Sequence, residues 1–125
     1  MKLEQALTYD DINIKPAYSE VLARSNIKLT TKFTKNTEIT IPIVSTPMDT
    51  ITEADMAIEM GRLGGVGVIH RFNTIEQQVK MISNVSKSLQ DISIEEAKKY
   101  GFTAIPICAA VGVTEDYLER AQELV

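Results

Sequence analysis

The segment Ile41-Pro42-Ile43-Val44-Ser45-Thr46-Pro47-Met48-Asp49-Thr50 decides the fold, together with Gly64-Gly65-Val66-Gly67-Val68-Ile69-His70-Arg71. Each segment is an apolar run with a turn-like end, and a helical pattern separates the two. This order predicts two neighbouring parallel strands in an α/β fold. Because the carboxyl ends of parallel strands share an edge, the residues that follow them should meet where α/β proteins bind ligands. These residues are Thr46, Met48, Asp49, His70 and Arg71.

Further strand and helix signals continue this order downstream. The predicted elements are a helix capped by Thr52 and ended by Gly64, a strand over 66–69, a helix from Thr74, a short helix over 93–101, a strand over 104–111 and a helix after Thr114. Thr74 and Gln77 fit the capping box that begins many helices. Residues 41–44 have little polar interruption, which predicts a strand buried on both faces.

Apolar residues at helical spacing indicate which face each of the first two helices buries. The first helix is expected to bury Met56, Ala57, Met60 and Leu63, and the second Ile75, Val79, Ile82 and Val85. The first forty residues lack this spacing. They predict an extended lead-in with a half-exposed strand within 26–34 and a turn at Lys35-Asn36.

Length and composition indicate one soluble globular domain. The chain has 125 residues, 44% of them hydrophobic and 24% charged, with a net charge of −4. Scattered basic residues argue against nucleic-acid binding, and no apolar run is long enough to span a membrane. Glu4 comes too early for a secretory signal, so we expect a cytoplasmic protein. Cys108, the single cysteine, lies in an apolar run and is expected to be a buried hydrophobe rather than a nucleophile.

The residues after the two strands allow a functional and a structural interpretation. Met48 can offer a polarizable contact to a purine ring, or it can belong to the core. Arg71 can stack on a base or pair with a phosphate. His70 is the only histidine, and a lone histidine is more often structural. Without a second histidine, a nearby cysteine or an acidic cluster at ligand spacing, no metal site is predicted. The glycines at 64–67 precede a strand, which argues against a dinucleotide-binding loop.

Several motifs resemble inosine-5′-monophosphate (IMP) dehydrogenase and the related GMP reductases. The opening Leu7-Thr8-Tyr9-Asp10-Asp11 is similar to that family's first motif, and residues 41–54 resemble its most specific segment. Residues 64–70 with Ile75-Glu76-Gln77-Gln78 resemble the next, and Ala109-Ala110-Val111-Gly112 the last. Pro47 stands where reductases carry asparagine, which favours the dehydrogenase. Arg71-Phe72 and residues 111–113 are closer to reductase-like sequences.

The resemblance implies that residues 1–125 are the N-terminal part of a TIM (β/α)₈ barrel, with about three β-α units after the lead-in. The whole enzyme would oxidise IMP to XMP in guanine nucleotide synthesis, with a catalytic cysteine as nucleophile and NAD as hydride acceptor. Thr46 and Met48 would contact the substrate, although Thr46 replaces the usual Ser or Ala. Arg71 would contact the adenosine end of NAD.

The same resemblance sets expectations for what this chain lacks. A barrel needs about 250 residues. The family's cysteine loop, main phosphate-binding loops and monovalent-cation site have no counterpart here, so no catalytic residue is assigned and the chain alone is expected to be inactive. The stretch 79–104 has no room for the family's CBS modules. A C-terminal barrel fragment, or assembly into a homo-oligomer such as the family's tetramers, would complete it. The alternatives are a GMP reductase fragment using NADPH and a non-catalytic nucleotide-binding or assembly module.

Overall fold

Three parallel strands and three α-helices form the main body of the described residues. The structure is a computed structural model, and it describes residues 4–90, residue 92 and residues 105–125. The elements are β1 (Thr31–Lys32), β2 (Glu38–Ile39), β3 (Val44–Ser45), α1 (Ala54–Leu63), β4 (Val66–Ile69), α2 (Ile75–Gln90), β5 (Cys108–Ala109) and α3 (Tyr117–Glu123). The predicted helix over 93–101 and residue 104 lie outside the described residues.

The main sheet has the strand order β3-β4-β5, which is the order along the chain. Strand β3 pairs in parallel with β4, with Ser45 opposite Gly67. Strand β4 pairs in parallel with β5, with Ile69 opposite Ala109. The predicted α/β class with a parallel sheet is therefore confirmed. The three carboxyl ends lie side by side.

The core lies between the sheet and helices α1 and α2, which also pack on each other. Its buried members are Ala57, Ile69, Val85 and Leu89. Gly67 allows the close approach of α1 to β4, because a Cβ atom there would lie only 2.5 Å from the Cα atom of Ala57. Burying an aliphatic side chain of this size contributes about 1.5–3 kcal/mol to stability.

Helix α1 differs from the prediction at its start and in its buried face. Glu53, not Thr52, is the N-cap residue. The side that faces the core carries Ala57 and Gly61, while Met56 and Leu63 are exposed. Small residues lie on the inner side because the helix axis passes close to the sheet. The C-terminal stop is confirmed, since Gly64 has a left-handed φ of 100°.

Helix α2 has the predicted capping box. The Gln77 N–H donates to the Thr74 hydroxyl at 3.2 Å, and the Thr74 N–H donates to the Gln77 side-chain oxygen at 3.0 Å. Its buried residues are Gln78, Val85 and Leu89, so the buried stripe is rotated from the predicted one and includes a polar side chain.

The strand predicted over 41–44 is not buried on both faces. Only Val44–Ser45 forms the strand, and Ile43 and Val44 are exposed. In the described residues β3 pairs with β4 alone and is covered by α1. A parallel strand is buried on both faces only when both faces are covered.

Residues 4–43, here called the lead-in, are extended apart from two single 3₁₀ turns, Tyr9–Asp11 and Arg24–Asn26. Strands β1 and β2 pair antiparallel across the predicted turn at 35–36. The lead-in is tied to the main body near its end. The backbone N–H groups of Thr40 and Ile41 donate to the Gly64 carbonyl, and the Ile43 carbonyl accepts the Val66 N–H. Among the described residues, no helix combines the length and the apolar character that crossing a membrane requires.

Candidate functional site

The carboxyl end of β3 leads into a tight turn, residues 46–52, that is held by its own hydrogen bonds. The backbone N–H groups of Ile51 and Thr52 both donate to the Met48 carbonyl at 3.2 Å. Thr50 has a left-handed φ of 61°. A β-branched residue is rare in that region, so the surrounding contacts must hold this conformation in place.

Thr52 is the main side-chain support of this turn. It is completely buried, and its hydroxyl donates to the Thr46 carbonyl at 2.5 Å. The hydroxyl oxygens of Thr52 and Ser45 are also hydrogen-bonded, at 3.0 Å. The Thr52 hydroxyl therefore supports the turn rather than capping α1, which explains why the helix begins later than predicted. Thr46 and Met48 stay exposed on the outer side.

The carboxyl end of β4 presents Arg71 to solvent beside β5. The Arg71 guanidinium carbon lies 5.6 Å from the centre of the Phe72 ring, a cation–π distance. A side chain at Gly112 would begin 3.3 Å from the Arg71 guanidinium. The absence of that side chain leaves room for the guanidinium beside Gly112.

His70, between β4 and Arg71, is buried against the same turn. Its backbone N–H donates to the Thr52 carbonyl at 3.4 Å, and its Nδ1 atom accepts the Phe72 N–H at 3.1 Å. Its Nε2 atom lies 3.8 Å from a carboxylate oxygen of Asp49 and 3.6 Å from one of Glu53. The structure thus forms an acidic cluster around the histidine that was not expected from the sequence.

A buried polar network, formed by Gln78, Asn73 and Arg120, contacts the backbone at the carboxyl ends of β4 and β5. The Gln78 amide nitrogen donates to the carbonyls of His70, at 3.1 Å, and of Ala110, at 2.9 Å. Arg120 of α3 donates to the Gln78 side-chain oxygen at 2.9 Å and to the Asn73 carbonyl at 3.1 Å. The buried position of Gln78 was not predicted; its helical spacing from Val85 and Leu89 is the signal that places it on the buried face.

Two ionisable groups near this edge have shifted pKa values. The hydrogen bonds from Arg120 to Asp116 lower the pKa of that carboxyl, and Arg71 adds a smaller effect in the same direction. Burial raises the pKa of the Cys108 thiol. Cys108 is half-buried rather than fully buried as expected, and a thiol with a raised pKa is a poor nucleophile.

The structure brings together the residues that the sequence placed at one edge. Thr46, Met48 and Asp49 follow β3, and His70 and Arg71 follow β4, its parallel neighbour. Their common position is confirmed by the strand pairing. The assignment of Thr46 and Met48 to substrate and of Arg71 to the cofactor stays a prediction.

Comparison with known proteins finds relatives over nearly the whole chain. The family model described as IMP dehydrogenase / GMP reductase domain matches residues 6–125. The inosine-5′-monophosphate dehydrogenase of Nitrosopumilus maritimus is 47% identical over 88 residues, which are 70% of this chain and 18% of that protein. The enzyme of the same name from Cryptosporidium parvum is 43% identical over 93 residues, 74% of this chain and 23% of its own length.

A further relative matches a larger share of the chain. The inosine-5′-monophosphate dehydrogenase of Korarchaeum cryptofilum is 36% identical over 121 residues, 85% of this chain and 25% of that protein. The chain therefore spans about a quarter or less of the length of these relatives. The fold, the edge described above and these matches agree, and the chain belongs to the IMP dehydrogenase / GMP reductase family.

Proposed function

We propose that this chain supplies the first β-α units of a (β/α)₈ barrel enzyme that oxidises IMP to XMP with NAD. The observation that carries the proposal is the exposed turn after β3, which is held rigidly by Thr52 and lies at the same sheet edge as Arg71. Family membership supplies the reaction class, and the relatives named above are all called dehydrogenases. The turn supplies a place for the nucleotide.

Thr46 and Met48 are the residues we assign to IMP. The Thr46 carbonyl accepts the Thr52 hydroxyl and the Met48 N–H, so the backbone at this point is fixed while both side chains stay exposed. A half-exposed thioether can lie against a flat purine ring, a contact for which sulfur–aromatic pairs provide about 0.3–1.5 kcal/mol. These residues would orient the base and would not take part in bond making.

Arg71 is the residue we assign to NAD, which accepts a hydride when it is bound. The exposure of Arg71 fits this role, because an exposed guanidinium that Gly112 does not crowd can stack on an adenine ring. Phe72 adds a second aromatic surface beside the guanidinium. The role of these two side chains is to bind and orient the cofactor.

Residues 1–125 would form one partial barrel domain without CBS modules and without activity of its own. The single cysteine, Cys108, has a pKa raised by burial, which makes it a poor nucleophile. The unpaired outer edges of β3 and β5 in the described sheet would be completed by further barrel strands. A C-terminal barrel fragment or a homo-oligomer is the partner we propose, with the nucleotide, and not nucleic acid or a membrane, as ligand.

The test is complementation. The chain is mixed with a C-terminal barrel fragment of the Nitrosopumilus maritimus relative, and NADH formation from IMP is followed by absorbance. We expect activity from the mixture and none from either part alone. Met48→Ala should raise the KM for IMP about three- to tenfold, because it removes a contact worth up to about 1.4 kcal/mol. Met56→Ala is the matched control, since Met56 is a similarly exposed methionine on α1. Equal effects of the two variants would contradict the assignment of Met48.

A GMP reductase is the second candidate, and Arg71-Phe72 with Val111-Gly112-Val113 are the residues that favour it. The chain mixed with the C-terminal barrel fragment of a GMP reductase would then oxidise NADPH in the presence of GMP, whereas the mixture with the dehydrogenase fragment would form no NADH from IMP. A third candidate, a non-catalytic module, would bind IMP in native mass spectrometry yet support neither reaction.

A further inference from the structure

The side chain of His70 is 2% exposed, and its Nε2 atom is the buried side-chain polar atom of the described residues that makes no hydrogen bond. The nearest charged groups are Asp49 and Glu53, whose oxygens lie 3.8 and 3.6 Å away, just beyond hydrogen-bonding distance. Leaving such an atom without a hydrogen bond costs about 1–3 kcal/mol. A hydrogen bond between Nε2 and a nearby carboxylate oxygen would therefore be favourable.

The other ring nitrogen determines what Nε2 can do. Nδ1 accepts the Phe72 backbone N–H at 3.1 Å and therefore carries no proton of its own. A neutral imidazole has one N–H group, so the proton must be on Nε2. His70 thus directs a proton toward Asp49 and Glu53.

This tautomer argues against a metal ion at the cluster. The ligand atoms of Asp49, Glu53 and His70 lie within 4.8 Å of one another, a spacing that a divalent cation could bridge. A histidine that binds a metal through Nε2, however, donates a proton from Nδ1 to an acceptor. Here Nδ1 faces a donor instead, so the geometry offers a hydrogen bond to a carboxylate and not a lone pair to a metal.

Asp49 lies on the turn that carries Thr46 and Met48, whereas Glu53 begins α1. His70 already holds the end of this turn through its backbone N–H bond to the Thr52 carbonyl. Both carboxylates are exposed and free to rotate. A change of well under 1 Å in Nε2–oxygen separation would complete the bond to Asp49 and fix the turn at a second point.

We propose that His70 is a positioning residue, whose Nε2–H donates to the Asp49/Glu53 pair and, through Asp49, holds the turn in the arrangement that presents Thr46 and Met48. The link to nucleotide binding rests on the proposed function. The contact itself does not, and it can be tested without a nucleotide.

The first experiment uses the full chain labelled with ¹⁵N. Because His70 is the only histidine, its ring signals need no assignment by mutation. We expect the Nε2–H tautomer in the wild type. In the Asp49→Ala/Glu53→Ala double variant, the Nε2 proton should exchange with water at least about tenfold faster, because it loses both acceptors. The control Asp55→Ala/Glu59→Ala removes the same charge from exposed positions of α1 and should change the rate less than about twofold. An Nδ1–H tautomer, or equal rates in both variants, would overturn the proposal.

The second experiment separates positioning from packing. His70→Gln keeps an N–H donor near the Nε2 position, whereas His70→Asn keeps only a group near Nδ1. We expect the Asn variant to shift the backbone amide signals of Thr46 and Met48 as Asp49→Ala does, and to weaken IMP binding about tenfold. The Gln variant should stay within about threefold of the wild type. Packing alone would affect both similarly, and that result would reject the positioning role.

Asp49→Ala, at an exposed site, keeps the test valid if a His70 variant fails to fold. If the wild type mixed with the C-terminal barrel fragment does not bind IMP, the proposed function fails, and the exchange rates and amide shifts of the chain alone still decide whether His70 positions the turn.

Discussion

The lead-in and the strand–helix unit that follows it both carry large apolar side chains, but the lead-in leaves most of its own exposed, with Ile39 as the buried exception. Ile14 and Leu22 of the lead-in are 97% and 95% exposed, whereas Val66 and Ile69 of β4 are completely buried. The difference is the presence of α1 and α2, whose inner faces cover the sheet. The apolar residues of β4 are buried, and so contribute to stability, because amphipathic helices pack on them.

The largest contrast is expected between two isoleucines. Ile69→Ala should lower the free energy of unfolding by about 2–5 kcal/mol, because it leaves a cavity in the core. Ile14→Ala, the matched change in the lead-in, should alter it by less than about 0.5 kcal/mol. Urea unfolding followed by circular dichroism measures both. Comparable losses would mean that the lead-in is part of the cooperative core.

Two arginines give the next contrast. Arg120 is 6% exposed and holds Gln78, Asn73 and Asp116, so Arg120→Ala should cost about 2–3 kcal/mol by leaving buried acceptors unpaired. Arg62 forms an exposed pair with Glu59 at 2.7 Å, and Arg62→Ala should cost at most about 0.5 kcal/mol. The same urea unfolding measurement applies. A larger loss of stability for Arg62→Ala than for Arg120→Ala would contradict the stabilising role of the network.

Two threonines, one in the 46–52 turn and one in the lead-in, give a third contrast. Thr52→Val keeps the shape but removes the hydroxyl that supports the 46–52 turn, so we expect a loss of about 1–2 kcal/mol. Thr8 makes an exposed hydrogen bond to Asp11 in the lead-in, and Thr8→Val should stay within about 0.5 kcal/mol of the wild type. Thermal unfolding of the three proteins checks this, and equal melting temperatures for both variants would contradict it.

The smallest expected effect concerns pH. The pKa of Asp116 is lowered by hydrogen bonds from Arg120, and that of Asp11 by hydrogen bonds from Thr8. A lowered pKa in the folded state stabilises it above the unfolded-state pKa of about 3.9, and this contribution is lost as the pH falls further. The Asp116→Asn variant should therefore lose less stability than the wild type as the pH falls from about 5 to 2.

Asp11→Asn is the control, since its turn lies in the lead-in, outside the core. It should leave the dependence of unfolding on pH unchanged, as measured by urea titrations at several pH values. A larger effect at Asp11 than at Asp116 would place the lead-in within the unfolding unit.

The strand and helix order was predictable because it depends on local signals. Two of these signals depend only on residues that are close together in the sequence, and both are confirmed: the capping box of Thr74 and Gln77, and the helix stop at Gly64. The pairing of β3 with β4 followed from the β-α-β order, and it placed Thr46, Met48 and Arg71 at one edge.

The remaining features depend on contacts between distant residues. Thr52 looks like a helix cap in the sequence, but the buried position beside Thr46 gives its hydroxyl another partner. The inner face of α1 is set by the approach to Gly67, and it carries small residues instead of the larger apolar ones. Likewise, the acidic cluster at His70 forms only when the turn and β4 meet.

The sheet order β3-β4-β5 repeats the order in which the strands are made. Each strand of this sheet pairs with the sheet strand synthesised just before it, so pairing can proceed in the order of synthesis. Such sequential pairing suits assembly from the N-terminus onward during translation. A sheet built in this way can grow by one unit at a time, with its ligand-binding edge lengthening from the same end at every step.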